Sequence, residues 1–178
     1  MLFRSEAGFQ DGFETTLMVA EAPRPYLPAP LLVTERVRHD LAGVGIRARP
    51  VRVRTRAEYL ARSRRGDYDL AVMGWQADTL DPNDFLSALL GSESIGTTNR
   101  SRYRSPVMNA LLKRGRMGNQ PAERFSAYVE AQDLFQRDMF WVFLYHVAAF
   151  TVRHHSVQDL RVGPTGLLRY ERVWKKDE

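Results

Sequence analysis

The chain has 178 residues, 44% hydrophobic, 26% charged and 11% aromatic, which fits one domain or one large lobe and excludes disordered, collagen-like and coiled-coil classes. A chain of this length buries roughly 70% of its unfolded surface, and with no cysteine it can use neither disulfides nor zinc–thiolate sites nor a cysteine nucleophile. The 26 Lys and Arg against 21 Asp and Glu give +5, and the excess is local: residues 36–65 hold ten Arg against Asp40 and Glu58, net +8, leaving −3 elsewhere.

Phe3–Gly8 reads as the last turn of a helix stopped by Gly8, followed by turn chemistry at Gln10-Asp11-Gly12. A domain rarely opens on a helix C-terminus, so the chain is expected to begin partway through a larger design. Met1–Gln10 has no apolar core behind a basic start, and no signal peptide is visible. Phe13–Val19 is rich in β-formers and predicts a strand. The prolines of Ala22–Pro30 predict a loop. A helix follows to about Ala42, with Leu31, Thr34, Val37, Arg38 and Leu41 at helical spacing and Gly43 and Gly45 as its stop.

Ile46–Thr55 alternates Ile46, Ala48, Val51 and Val53 with Arg47, Arg49, Arg52 and Arg54, and Pro50 breaks the phase. This predicts a strand near a sheet edge with one wet face. Arg56–Arg65 predicts a short helix closed by Gly66-Asp67. Tyr68–Gly74 is continuously apolar beyond Asp69 and predicts a central parallel strand. Together these segments form β-α-β-α-β, the unit of an open α/β sheet.

Beyond Trp75 the texture changes. Asp78–Asp84 is an acidic loop, Pro82–Leu90 predicts a short helix, and Gly91–Arg104 is polar loop. Ser105 then caps a helix to Met117, with Pro106 at its first position. Pro121–Asp138 predicts the longest helix, with an apolar stripe of Phe125, Tyr128, Val129, Ala131 and Phe135. Trp141–Val152 predicts a long strand. The run around it, Met139–Thr151, is too short to cross a membrane as a helix. The tail from Gly163 is loop plus one short element.

Several chemistries are weighed and set aside. Neighbouring His154 and His155 on a strand face opposite ways and cannot share an ion, so no metal site is expected. The Arg47, Arg49, Arg52, Arg54 and Arg56 series lacks interleaved aromatics and reads as a solvated strand face, so no nucleic-acid partner is expected. Neither a nucleophile elbow nor a phosphate-binding loop occurs, and no cofactor or catalysis is expected. Asp78, Asp81 and Asp84 lack the glycine and closing glutamate of a calcium loop.

The most specific segment is Tyr68–Leu86. A buried strand delivers Trp75 and Asp78 at its C-terminal end, where open α/β sheets bind ligands. An aromatic face beside a free carboxylate makes a seat for a ligand ammonium group on an apolar side chain. The competing reading makes Trp75 a core cap and Asp78 a turn residue.

Here the chain resembles the C-terminal lobe of the peptide-binding, family 5 solute-binding proteins of ABC importers. The resemblance runs through Glu6–Glu14 (EAGFQDGFE), Leu41–Ile46 (LAGVGI), Arg65–Leu70 (RGDYDL), Gly74–Asp78 (GWQAD), Asp81-Pro82, Asn99–Pro106, Pro121–Arg124 (PAER) and Leu144–His146 (LYH). It implies an α/β, periplasmic-binding-protein-like type II lobe: an open, mostly parallel sheet flanked by helices, with an antiparallel strand from the C-terminal part. Residues 1–178 then form a single lobe, with the N-terminal lobe absent. The implied function is non-catalytic. Asp78 holds the α-amino group of a peptide or similar solute in an interlobe cleft, Trp75 is the pocket aromatic, and Gln76, Ala77 and Thr79 complete the ligand-binding set. The implied partner is an ABC importer permease, and the implied location is periplasmic or extracytoplasmic. Thr79 stands where an aromatic is common, Asn109 where the helix carries Asp, and Phe143 where Pro precedes Leu-Tyr-His. Cutting between lobes exposes a strand edge or apolar patch, so a homo-oligomer is expected; the alternative function is a truncated remnant that only self-associates.

Overall fold

The computed structural model describes residues 5–148 and 150–176; the start of the first predicted helix, Phe3-Arg4, lies outside them. Residues 5 and 6 are helical, and Gly8 turns the chain at φ +80. Strand β1 (Phe13–Ala20) is followed by helix α1 (Pro30–Gly43), strand β2 (Ile46–Val53), helix α2 (Arg56–Arg65) and strand β3 (Leu70–Ala71). All three strands run parallel in the order β2-β1-β3. The β1–β2 register pairs Phe13 with Ile46 and continues unbroken to Ala20 and Val53. Gly12, at φ +91, makes the entry turn. A Cβ there would lie 1.9 Å from the Gly45 carbonyl oxygen, so only glycine lets these two turns meet.

Two corrections follow for the sheet. The predicted central strand Tyr68–Gly74 is a flank; β1 is the centre, and only Leu70 and Ala71 pair with it. An uninterrupted apolar run suggests burial, but of this one only Val72 is buried and Leu70 is exposed; β1 supplies one neighbour, and Tyr59 donates its hydroxyl to the Val72 carbonyl (3.1 Å). β2 is an edge as predicted, with Arg47, Arg49 and Arg52 exposed while Ala48 and Val53 are buried.

Helix starts follow local chemistry. Thr55 caps α2 by accepting from Glu58 N–H, and Gly66 ends it in the left-handed region. Helix α3 (Pro82–Leu90) is capped by Asp81, α4 (Pro106–Met117) by Ser105, and α5 (Pro121–Asp138) begins on Pro121. A 3₁₀ turn, Ser92–Ser94, interrupts the predicted polar loop. Asn99 within that loop is fully buried and donates to the Gly91 and Tyr103 carbonyls (3.0 and 2.9 Å). The departure at Asn109 also has a use, since its Oδ1 accepts from Ser92 N–H (3.0 Å).

Two apolar clusters make the core. In one, α1 lays Leu31, Val33, Val37 and Leu41 over Leu17, Val19 and Ala48 of the sheet. In the other, α3, α4 and α5 bury Leu89, Leu90, Met108, Leu112, Ala131 and Phe135. The stripe predicted on α5 is rotated: Tyr128, Ala131 and Phe135 are buried, but Phe125 and Val129 are exposed and Ala127 takes the inner position.

The largest correction concerns Trp141–Val152. From Met139 to His154 every described position is free of helix, strand, turn and bend, and no strand among the described residues lies paired beside it. The antiparallel pairing in the C-terminal part lies elsewhere, in two separate ribbons: β4 (Val157–Gln158) with β7 (Trp174–Lys175), and β5 (Arg161–Val162) with β6 (Leu168–Arg169). Neither joins the main sheet. Among the described residues no helix is long and apolar enough to cross a membrane.

Asp69 pins the entry to β3. The Thr16 hydroxyl and N–H both donate to its Oδ2 (2.6 and 2.9 Å). These bonds, the hydroxyl first, hold its carboxyl below the usual range. A lowered folded pKa stabilises above the unfolded carboxyl range and is lost as pH falls through it. Asp69→Asn is therefore expected to lower stability at neutral pH and flatten the acid limb below about pH 4. Circular-dichroism acid titrations check this; an unchanged acid midpoint refutes it.

Candidate functional site

The end of β3 feeds directly into the loop with the sequence-predicted residues. Val72 N–H donates to the Met18 carbonyl (2.9 Å), the last backbone bond tying this strand to β1. Gly74 then passes under the Tyr26 ring, where a Cβ would stand 2.3 Å from Tyr26 Cδ2. Tyr26 belongs to the loop after β1. The two loops leaving the C-terminal ends of β1 and β3 therefore meet here, the edge at which open α/β sheets present ligands.

Trp75 turns inward and packs against the helical cluster. Its indole N–H is buried with no hydrogen-bond partner among the described residues, so packing alone holds the ring, against the cost of an unpaired donor. Gln76 donates from Nε2 to the Thr165 carbonyl (2.9 Å), tying the loop to the turn between β5 and β6. Ala77 is half-buried. Thr79 is spent locally: its Oγ1 accepts from Asp81 N–H (3.3 Å).

The three carboxylates divide their work. Asp84 Oδ2 accepts from the N–H groups of both Asp78 and Thr79 (2.8 and 2.9 Å) and clamps the loop onto the first turn of α3. Asp81 Oδ1 accepts from Asn83 N–H (2.8 Å), and its Oδ2 pairs with Arg124 (2.5 Å). Asp78 is exposed, and among the described residues its carboxylate has no hydrogen bond or ion pair. The predicted set is thus contiguous, with Trp75, Gln76 and Thr79 holding it in place and Asp78 left chemically free.

Sequence reasoning missed two features of these loops. Asp84, read as the end of an acidic loop, stands in the first turn of α3, and its bonds to residues five and six earlier were not readable. Arg24 is hidden in the proline-rich loop. A two-bond bridge between Arg24 and Leu27 (3.0 and 2.9 Å) shapes that turn, and Arg24, half-buried, has no carboxylate partner among the described residues.

Other candidates resolve differently. A cavity of about 360 Å³ opens between Thr16, Met18, Arg49, Val51, Arg62, Asp67 and Tyr68; it shares no residue with the 75–79 loop, whose Asp78 stands on open surface. His154 and His155 do not diverge as predicted. The chain turns there, and the rings lie 4.2 Å apart, with His154 Nδ1 2.8 Å from Ser156 Oγ. Among the described residues no group of three or more His, Cys, Asp or Glu could hold a metal. In the Arg series, Arg47 pairs with Glu14 across the strands (3.2 Å), a solvated-face contact.

Comparison with known proteins bears on the family and the fold. Residues 5–97 match the model of the bacterial extracellular solute-binding proteins, family 5, middle part. Heme-binding protein A of Haemophilus influenzae is 31% identical over 162 residues, 91% of this chain and 29% of that protein. Di/tripeptide-binding protein 4 of Pseudomonas aeruginosa is 32% identical over 160 residues, 89% of this chain and 30% of that protein. The chain thus spans about a third of the length of the relatives it matches. Among solved structures, HbpA2 from Haemophilus parasuis superposes with a TM-score of 0.88 at 28% identity, covering 98% of this chain and 34% of that one. A dipeptide-binding protein from Pseudoalteromonas in complex with Met-Leu gives 0.79 at 24% identity, over 98% of this chain and 34% of that one, and supports the fold.

Proposed function

Because the chain belongs to the bacterial extracellular solute-binding proteins, family 5, we propose that it is a peptide-binding lobe in which Asp78 receives the ligand α-amino group beside Trp75. In this reading the loaded protein works outside the cytoplasm and hands its solute to an ABC importer permease. The observation that carries it is the division of labour among the acids: Asp81 and Asp84 are spent on the scaffold, and Asp78 alone is left unpaired at the ligand-presenting edge. Arg24 supports a zwitterionic ligand, since it is a carboxylate-seeking guanidinium on the loop that Tyr26 anchors over Gly74.

An exposed ion pair contributes only about 0–1 kcal/mol. Affinity of the chain alone for a dipeptide is therefore expected to be no better than roughly 1 mM. NMR titration with a dipeptide checks this. Shifts should centre on residues 74–79, vanish in Asp78→Asn and fail with the N-acetylated dipeptide. Shifts that survive Asp78→Asn refute the reading, and micromolar affinity overturns the expectation that the chain alone binds weakly.

A second reading, self-association of this chain through apolar surface, is favoured by one observation. Val142, Phe143, Leu144, Tyr145, Val147, Phe150 and Val152 are all exposed along one unpaired segment.

A further inference from the structure

We infer that Arg124 is a positioning residue for the proposed ammonium site: by engaging Asp81 it leaves Asp78 as the one carboxylate free to take a ligand cation, so that the loop seats one ammonium group and not two. The inference rests on the peptide reading and adds a charge selectivity to it. Every contact that carries it lies inside the chain. Asp78 and Asp81 are both exposed, three residues apart on one loop, so each could serve as the acceptor. Asp81 Oδ1 is used as the cap of α3, accepting from Asn83 N–H (2.8 Å), which leaves Oδ2 over. Arg124 donates to that oxygen (2.5 Å). With the guanidinium removed, Asp81 Oδ2 becomes a second free acceptor near Asp78.

The helical half of the chain holds this guanidinium ready before any ligand arrives. Arg124 stands in the first turn of α5, and its Nη1 donates to the Arg116 carbonyl at the end of α4 (3.5 Å). Its Cζ lies 5.7 Å from the centre of the Tyr128 ring, one turn further along α5, close enough for a cation–π contact. Tyr128 is buried, and it fits because α4 carries glycine opposite it: a Cβ at Gly115 would stand 2.6 Å from Tyr128 Cε1. The neighbouring Arg116 is turned to Glu93 (3.7 Å) and does not compete for Asp81. A planar guanidinium fixed by a carboxylate, a carbonyl and a ring face keeps its orientation, which a flexible ammonium would not.

A pair that merely ties α5 to the start of α3 would affect all ligands alike. A charge role makes opposite predictions for the two partners: removing Arg124 uncovers an anion beside the seat, and neutralising Asp81 uncovers a cation. A partly exposed charge contact changes affinity by a factor of about 2–5.

The test is an NMR titration of the residue 74–79 amides in low salt with two probes, Ala-Ala and Lys-Ala, which differ by one ammonium group. The quantity read is the affinity for Lys-Ala over that for Ala-Ala, relative to wild type. Arg124→Met should raise this ratio about 2–5-fold, and Asp81→Asn, which keeps an oxygen to cap α3, should lower it about 2–5-fold. The double variant should return it to the wild-type value, and Arg124→Lys should hold it there. Both shifts should collapse at about 0.5 M salt, where exposed charges are screened. A ratio that does not move, or that moves the same way in both single variants, overturns the inference. Asp81→Asn leaves the packing of Arg124 in place, so the sign of its shift decides the matter even where Arg124→Met fails to fold. If Asp78→Asn abolishes the Ala-Ala response and the ratio stays fixed, this inference alone falls; if the response survives Asp78→Asn, the peptide reading falls and takes this inference with it.

Discussion

Met108→Ala is expected to lower stability by about 2–5 kcal/mol, the range for truncating a fully buried Met. For a chain of this size that is a fall of roughly 5–15 °C in melting temperature. Met108 has no solvent exposure. It sits on α4 in the cluster with Leu89 and Leu90 of α3 and Ala131 and Phe135 of α5, and Trp75 packs against that cluster. The cavity left by truncation opens at the meeting of three helices whose positions are fixed by other contacts, so little collapse can fill it. The loss also reaches the candidate site. Trp75 has no hydrogen bond to hold its ring, so loosening its packing should change its fluorescence before the sheet melts. Met108→Leu keeps the volume and should cost less than about 1.5 kcal/mol. Thermal denaturation followed by tryptophan fluorescence and by circular dichroism checks both; a Met108→Ala loss under about 1 kcal/mol refutes the assignment.

The parts of this fold legible in the sequence are those set by local chemistry. Ser105-Pro106 marked a helix start because the capping bond spans three residues, and the helices predicted from Arg56 and Pro82 begin on equally local bonds, from Thr55 and Asp81. The Arg alternation of β2 marks a wet edge because strand side chains alternate in space. What depended on a distant partner was misread. Tyr68–Gly74 has the apolar character of a central strand, but β1 occupies that place and β3 pairs over two residues. Trp141–Val152 has strand composition, but composition cannot supply a neighbouring strand. For the proposed site, the strand end pointed to Trp75 and Asp78, and the family resemblance added Gln76, Ala77 and Thr79 between and beside them. It could not apportion Asp78, Asp81 and Asp84, since that depends on which carboxylate meets which N–H and on Arg124, 43 residues away.

Asp84→Ala is expected to abolish ligand response at the 75–79 loop while leaving the Asp78 carboxylate in the chain, and to lower stability by about 1–2 kcal/mol, two charge-assisted bonds discounted for their solvent exposure. One oxygen, Oδ2, holds both the Asp78 and Thr79 N–H groups. Asp84 also stands in the first turn of α3, where a negative charge meets the helix's unpaired N–H groups. Removing it frees two backbone donors and a helix-start charge together, so the loop loses the orientation that aims Asp78 outward. Amide exchange should quicken at residues 78 and 79 and stay unchanged at Asn83, whose N–H is held independently by Asp81. Asp84→Asn keeps an acceptor oxygen and should fall between the wild type and Asp84→Ala. The contrast with Asp78→Asn separates positioning from contact: Asp78→Asn should lose binding with normal amide exchange and normal stability, whereas Asp84→Ala should lose all three. If Asp84→Ala titrates with a dipeptide like the wild type, the clamp does not position Asp78, and the exposed carboxylate finds its ligand without it.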